Sequence, residues 1–277
     1  MENRVLYNGV CMPEIGYGTW QTEDKEAKTC VSQALQSGYR HIDTASIYGN
    51  EAALGIGIRA SNMPREELFV TSKVWNTNRG YDKTMDAFQQ SLHNLGLDYL
   101  DLYLSHWPCN AKQSADYNRI NLETYQALID LYKAGKVRAI GVSNFLPHHL
   151  DMLLKTEVPP MVNQIEFHPG YSQQEVIAYC HKHNIVVEAW SPLGCGSVLQ
   201  DELVLELAEK YNKSAAQICI RFALQQNIVP LPKTIRPDKM KENLDVYDFS
   251  LTQKDMQKLI KMPIKGWSGN HPDMVER

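Results

Sequence analysis

Eight short runs rich in β-branched and aromatic residues recur along this chain, and most are followed by a longer stretch of helical periodicity. The runs lie near Glu14–Tyr17, Arg40–Asp43, Leu68–Val74, Leu100–His106, Val137–Val142, Met161–Phe167, Ile185–Ala189 and Ile228–Leu231. Alternation of this kind means parallel strands joined by crossover helices. A chain of 277 residues also suits a (β/α)8 barrel, which needs about 250. Between the runs, Lys25–Ser37, Tyr81–Asn94, Leu122–Ala134, Gln173–His183 and Ala215–Gln226 carry apolar residues at three- and four-residue spacing, as an outer ring of amphipathic helices should. Gly38, Gly96 and Gly135 stand where helices must stop and the chain turn back. The expected fold is therefore α/β, a TIM barrel. A β-hairpin from about Arg4 to Met12, turning at Asn8-Gly9, precedes it and is placed to plug its bottom. An irregular C-terminal loop from about Lys261 lies over the barrel. No linker, repeat or low-complexity segment interrupts it, so residues 1–277 are expected to form a single domain.

Composition removes several classes of function. A formal charge of −4 provides no basic field for nucleic acid or an anionic membrane. The N-terminal MENRVLYNGV has neither a long apolar core nor an Arg-rich amphipathic pattern, and no run approaches the roughly 20 apolar residues of a membrane span, so neither secretion nor membrane insertion is expected. The six cysteines are scattered with no CxxC pair. These features predict a reduced cytoplasmic compartment and small-molecule partners.

In a barrel the active site lies at the C-terminal ends of the strands. Asp43, Lys73 and His106 fall at such ends, and Tyr48 falls in the loop after the second run. Taken singly, each has an ordinary reading: a helix cap, a solvated lysine, a structural histidine, a packed tyrosine. Together they make a proton donor. A phenol of pKa about 10 is a poor acid at neutral pH, and a neighbouring ammonium lowers that value. Lys73, held by Asp43, can supply the ammonium, and His106 can orient a carbonyl so that Tyr48 protonates its oxygen.

Eight ordered blocks carry a resemblance: GYGTW (Gly16–Trp20), GYRHIDTASIYGNE (Gly38–Glu51), TSKVW (Thr71–Trp75), SHWP (Ser105–Pro108), GVSNF (Gly141–Phe145), NQIEFHP (Asn163–Pro169), SPLG (Ser191–Gly194) and PKT…EN (Pro232–Asn243). The chain resembles the aldo-keto reductases over nearly its whole length. Its short length and the ending HPDMV are similar to the branch with 2,5-diketo-gluconate reductases and prostaglandin F synthases. The resemblance implies an NADPH-dependent reductase of aldehydes and ketones. In it Tyr48 is the general acid, Lys73 with Asp43 tunes it, and His106 positions the carbonyl. The resemblance also implies a monomer, and a nicotinamide cofactor extended across the barrel mouth rather than held on a Rossmann unit. Gly16-x-Gly18 and Gly55-x-Gly57 both lack the third glycine of a dinucleotide fingerprint, and the second lies in a helical pattern.

The matching cofactor positions have individual physical sense. Ser143, Asn144 and Gln164 can hydrogen-bond a nicotinamide carboxamide, Trp190 can stack on its ring, and Ser191, Leu193 and Gly194–Gly196 can wrap the pyrophosphate. Lys233, Thr234 and Arg236 present an ammonium, a hydroxyl and a guanidinium to a 2′-phosphate, which suits NADPH and leaves NADH as a weaker cofactor. Glu242 and Asn243 resemble the family's adenine contacts. Lys239 stands where the family often has an arginine that stacks on adenine, so the expectation is either weaker NADPH binding or compensation by Arg236. Trp20, Trp75 and Trp107 are expected, with His106, to wall the substrate pocket, and Trp267 to close one side.

Other features read as inert. His148-His149 and His181-x-His183 have no acidic or cysteine partner at metal spacing and fall in outer helices, so they are expected at the surface, with no metal site. His168 reads as structural, and no GxSxG elbow is present. Two other functions fit a barrel: a Schiff-base lyase using Lys73, and a cofactor-sensing subunit without turnover. The pairing of Lys73 with Asp43 opposes the first, and the intact quartet opposes the second. The sequence does not name the substrate.

Overall fold

The computed structural model describes residues 2–275. β1 (Asn3–Val5) and β2 (Cys11–Pro13) pair antiparallel around the expected turn, where Gly9 takes a φ of 86°. Eight further strands run parallel, each beside the next in chain order. They are β3 (Gly16–Gly18), β4 (His41–Asp43), β5 (Phe69–Val74), β6 (Leu100–Ser105), β7 (Val137–Ser143), β8 (Val162–Glu166), β9 (Val186–Trp190) and β10 (Ile228–Pro230). The helices are α1 (Asp24–Ser37), α2 (Glu51–Ala60), α3 (Tyr81–Leu95), α4 (Tyr117–Lys133), α5 (Pro147–Leu153), α6 (Gln174–Lys182), α7 (Glu202–Tyr211), α8 (Ala215–Leu224), α9 (Pro237–Leu244) and α10 (Gln253–Ile260). Each expected strand is present, with its ends shifted by two residues or fewer. α4 begins at Tyr117, well before the expected Leu122, and the PKTIRPDKMKEN segment turns into α9, with Pro237 at its start.

The two Gly-x-Gly pieces have packing roles. β3 closes the barrel against the end of β10, where the Gly18 amide donates to Pro232 O at 3.1 Å. A Cβ on Gly16 would lie 2.4 Å from Leu231 Cδ2, and one on Gly18 would lie 2.8 Å from Leu231 O. Gly55 and Gly57 let α2 press against its neighbours: a Cβ on Gly55 would lie 2.1 Å from Leu95 O, at the end of α3, and one on Gly57 would lie 2.5 Å from Lys28 O of α1.

The hairpin covers the N-terminal ends of the strands. Tyr7 Oη donates to Pro159 O (2.6 Å), Asn8 Nδ2 to Arg138 O (3.0 Å) and Arg4 Nη1 to Asn227 Oδ1 (3.2 Å), while Leu6 and Met12 are buried beneath it. At the opposite end, the chain from 261 to 275 has no helix or strand and crosses the mouth. Asn110 Nδ2 holds it through Pro272 O and Val275 O, both at 2.9 Å, and Ser268 holds it through Glu166. Among the described residues no helix is long and apolar enough to cross a membrane.

Candidate active site

The upper interior of the barrel is polar. Asp43 ends β4, Lys73 lies one residue from the end of β5, and His106 follows β6. Tyr48 closes a single 3-10 turn, Ser46–Tyr48, whose position is set by Ser46 Oγ donating to Lys73 O (3.0 Å) and by Gly49 at a φ of 68°. Lys73 is fully buried. Its Nζ donates to Asp43 Oδ1 (2.7 Å), Asp43 Oδ2 (2.8 Å) and Thr44 O (2.9 Å), and it lies 5.3 Å from the centroid of the Tyr48 ring, where its charge acts on the phenol. His106 packs edge-on between Tyr48 (ring centroids 5.7 Å) and Trp75 (5.0 Å). All four expected residues therefore meet.

The electrostatics refine their roles. Burial works against the Lys73 ammonium, but Asp43 and Tyr48 outweigh it and hold the lysine above its usual value, so it stays charged. Burial pushes the Tyr48 phenol up. Lys73 pulls it down as expected, but burial outweighs it and the net position is above the ordinary value near 10, a correction to the expectation of a lowered one. His106 is driven well below 6.5, first by burial and then by the Lys73 and Arg79 charges, so its imidazole is neutral. Arg79 was missed by the sequence reading. It reaches from the turn after β5 to Trp107 O (Nε, 3.2 Å), Pro108 O (Nη2, 3.0 Å) and Gln113 Oε1 (Nη1, 3.0 Å), fixing the loop that carries His106.

A second layer lies beneath the quartet. Gln164 Nε2 donates across the interior to Asp43 Oδ2 (2.8 Å) and to Glu188 Oε2 (2.9 Å). Glu188 is fully buried, and burial with the nearby Asp43 charge pushes its carboxyl up to about 8. Its other oxygen faces His41 Nε2 at 3.5 Å. An acid inside the apolar strand run VVEAW was the available signal for this residue.

Around the mouth, Ser143 Oγ donates to Gln164 O (2.8 Å). Asn144, at a φ of 65°, donates from Nδ2 to His106 O and Ser143 Oγ (3.0 Å each) and accepts at Oδ1 from Trp190 Nε1 (2.8 Å). Trp107 lies beside Trp190, with centroids 6.4 Å apart. Trp20 stands exposed in the loop after β3 and makes no ring contact with the other four tryptophans among the described residues. Trp267 stacks on Tyr171 at 5.8 Å. After β9, Ser191, Gly194, Cys195 and Gly196 take φ of 48°, 53°, 50° and 89° and form a tight loop in which Gly194 is buried and Cys195 and Gly196 are exposed; Leu193 packs against the core.

The polar tail of the site follows β10. Lys233, half-buried Thr234 and Arg236 face solvent, and Arg236 pairs with Asp238 at 2.6 Å. Lys239 Nζ meets Glu242 Oε2 at 2.5 Å, and Ser214 also acts on this carboxyl. Asn243 lies on the buried face of α9. These residues fit a nicotinamide dinucleotide phosphate: a left-handed loop with open space at Gly196 for phosphates, and exposed cations for a further phosphate.

The expectation that both His148 and His149 lie at the surface is corrected. His149 is buried at the first turn of α5, where its Nδ1 accepts from the Leu146 amide (3.1 Å), and Asp273 from the C-terminal loop meets both rings at 2.9 and 3.0 Å. Since Nδ1 accepts, Nε2 carries the proton and faces Asp273, which leaves no lone pair for a metal. His181 is exposed, and His168 is buried against Pro169 O, as a structural residue should be.

Fold and site together define an enzyme-type (β/α)8 barrel, with a buried Asp43–Lys73 ion pair at the C-terminal ends of its strands. The chain belongs to the Aldo/keto reductase family, whose family model matches residues 14–262. It is 50% identical over 270 residues to a glyoxal reductase of Bacillus subtilis, covering 97% of this chain and 95% of that protein. It is 46% identical over 273 residues to a 9,11-endoperoxide prostaglandin H2 reductase of Trypanosoma cruzi, covering 97% and 94%. Its fold matches an aldo-keto reductase of Bombyx mori in complex with NADP, with a TM-score of 0.86 and 34% identity over 93% of this chain and 91% of that one.

Proposed function

We propose that this protein reduces aldehydes and ketones to alcohols with NADPH. The buried Lys73–Asp43 pair, meeting Tyr48 and His106 at the barrel mouth, carries that reading. A bound reduced nicotinamide supplies the hydride, since no side chain can. His106, neutral, donates a ring N–H to the substrate carbonyl and sets its direction. Tyr48 gives its hydroxyl proton to the oxygen as negative charge develops there, and Lys73 stabilises the phenolate left behind. Asp43 keeps Lys73 in place and charged. An ammonium held in this way is no nucleophile, which weighs against a Schiff base on Lys73. Ser143, Asn144 and Gln164 hold the carboxamide, Trp190 stacks on the ring, and the loop from Ser191 through Leu193 to Gly196 wraps the pyrophosphate. Lys233, Thr234 and Arg236 read the 2′-phosphate, with Lys239, Glu242 and Asn243 at the adenine. Trp20, Trp75 and Trp107 wall the substrate side.

The named relatives reduce glyoxal and a prostaglandin endoperoxide, and small α-dicarbonyls are the first substrates to try. The test is loss of NADPH absorbance with glyoxal, methylglyoxal and a panel of keto-sugars and ketones. Turnover that disappears in Tyr48→Phe, with NADPH still bound, supports the reading. NADPH binding without turnover over the whole panel points to a sensor and sinks it.

A further inference from the structure

Gln164 has one amide group, and its two ends are chemically opposite: Nε2 only donates and Oε1 only accepts. Both Nε2 hydrogens are used inside the barrel, on Asp43 Oδ2 at 2.8 Å and on Glu188 Oε2 at 2.9 Å. Asp43 reaches Gln164 from β4 and Glu188 from the adjoining β9, in register with Gln164 itself. No donor meets Gln164 Oε1 among the described residues, although the residue is 99% buried, with a relative exposure of 1%. The neighbours offer acceptors as well. Asn144 Nδ2 spends both hydrogens on His106 O and Ser143 Oγ, while its Oδ1 takes a single bond from Trp190 and keeps a lone pair.

We infer that Glu188 is a positioning residue: with Asp43 it accepts the two amide hydrogens of Gln164, so that Gln164 turns its oxygen, and never its NH2, toward a bound carboxamide. The corner made by Gln164 Oε1 and Asn144 Oδ1 then selects for a group that donates two N–H bonds. A carboxamide NH2 does so, and a methyl ketone of the same shape does not. This inference rests on the placement of the carboxamide at Gln164 proposed above.

Glu188 suits the task because it is held as a neutral acid. His41 Nδ1 faces Pro13 O at 3.4 Å, and a carbonyl only accepts, so Nδ1 carries the ring proton and Nε2 is a lone pair. That lone pair faces Thr71 Oγ1 at 3.2 Å and Glu188 Oε1 at 3.5 Å. A proton on Glu188 Oε1 points at His41, and Oε2 is left to accept from Gln164. One buried negative charge, on Asp43, then serves Lys73 without a second beside it.

The test compares binding of NADP+ with that of its 3-acetylpyridine analogue, which carries an acetyl group in place of the carboxamide, by quenching of tryptophan fluorescence. For the wild type, NADP+ is expected to bind about tenfold tighter, the worth of a hydrogen bond lost with its acceptor left unpaired. In Glu188→Leu the ratio should fall to within about twofold, because Gln164 loses an acceptor and can flip. Glu188→Gln, which keeps a carbonyl oxygen at that place, should restore the wild-type ratio. An undiminished tenfold ratio in folded Glu188→Leu overturns the role of Glu188 and leaves the cofactor reading standing. A wild type that binds neither dinucleotide, or both equally, overturns the cofactor placement and this inference with it. A measurement on the unaltered protein covers a leucine variant that fails to fold. In 15N-labelled wild type without cofactor, both side-chain amide protons of Gln164 should exchange slowly with water, and fast exchange of either one sinks the proposal.

Discussion

Lys73 Nζ lies 2.7 and 2.8 Å from the two carboxylate oxygens of Asp43, in a part of the barrel where the lysine has no exposure to water. A buried charge without its partner costs several kcal/mol. The pair therefore stands or falls together, and Tyr48 depends on it for the one influence that lowers its pKa.

Replacing Tyr48 with Phe should reduce carbonyl reduction by about 10²–10⁴-fold, the usual worth of a positioned acid, with little change in the dissociation constant for NADPH. Lys73→Met should cost a similar factor and move any alkaline loss of activity upward, since the phenol then keeps its burial and loses the ammonium. Steady-state rates against pH, with a binding titration beside them, check both. Near-normal turnover in Tyr48→Phe removes the assigned role.

Arg236 is committed elsewhere in the free protein, paired with Asp238 at 2.6 Å, and both side chains are more than half exposed. Such an exposed, solvent-screened pair is weak, weaker than a charge-assisted bond to a phosphate. Arg236→Ala should weaken NADPH by about tenfold and leave NADH within about twofold. Asp238→Ala should do the reverse, tightening NADPH by up to about fivefold as the guanidinium is released and a nearby negative charge removed. Equal effects on the two cofactors in either variant show that this side chain does not read the 2′-phosphate.

The strands and the quartet were legible because their signals are local. HIDTASIYG and LFVTSKV each place a polar residue just where an apolar run stops, and the topology brings such ends together whatever the loops do. What escaped the reading depends on contacts distant in sequence. His149 looks like a surface residue until Asp273, from the C-terminal loop, closes on it. Glu188 looks like an odd acid in a strand until Asp43 and Gln164 arrive from elsewhere in the barrel. The sign of the Tyr48 shift needed the depth of its burial, which no residue string contains.

Gly55 was legible as a failed fingerprint and unreadable as a contact. Its place facing Leu95 O, where a Cβ would come within 2.1 Å, leaves no room for a side chain, and the obstacle is backbone. Gly55→Ala should therefore destabilise the protein by about 1–3 kcal/mol, although alanine is the better helix former. Gly9→Ala has open space around it but a φ of 86°, so its cost comes from the turn and should be smaller, about 1 kcal/mol. Urea unfolding curves separate the two, and a Gly55→Ala protein as stable as wild type shows that α2 can shift away from α3.

Acid should unfold this protein early, through its buried histidines. Burial holds His41 and His149 down at about 4, and His106 well below 6.5, while in the unfolded chain all three titrate near 6.5. Each folded pKa is depressed, so the associated stability is complete above pH 6.5 and drains away as the pH falls toward 4, where the unfolded chain binds protons that the folded one refuses. Once the pH is well under 6.5, each histidine removes about 1.4 kcal/mol per pH unit, while Glu188, raised to about 8 in the folded state, returns about the same amount as the pH falls from 8 toward 4.5, so the net loss is on the order of 3 kcal/mol per unit. The urea midpoint should rise slightly from pH 8 to 7 and fall from 6 to 5. His149→Gln should flatten that descent by about half. A midpoint unchanged between pH 7 and 5 shows that these rings are charged in the folded state.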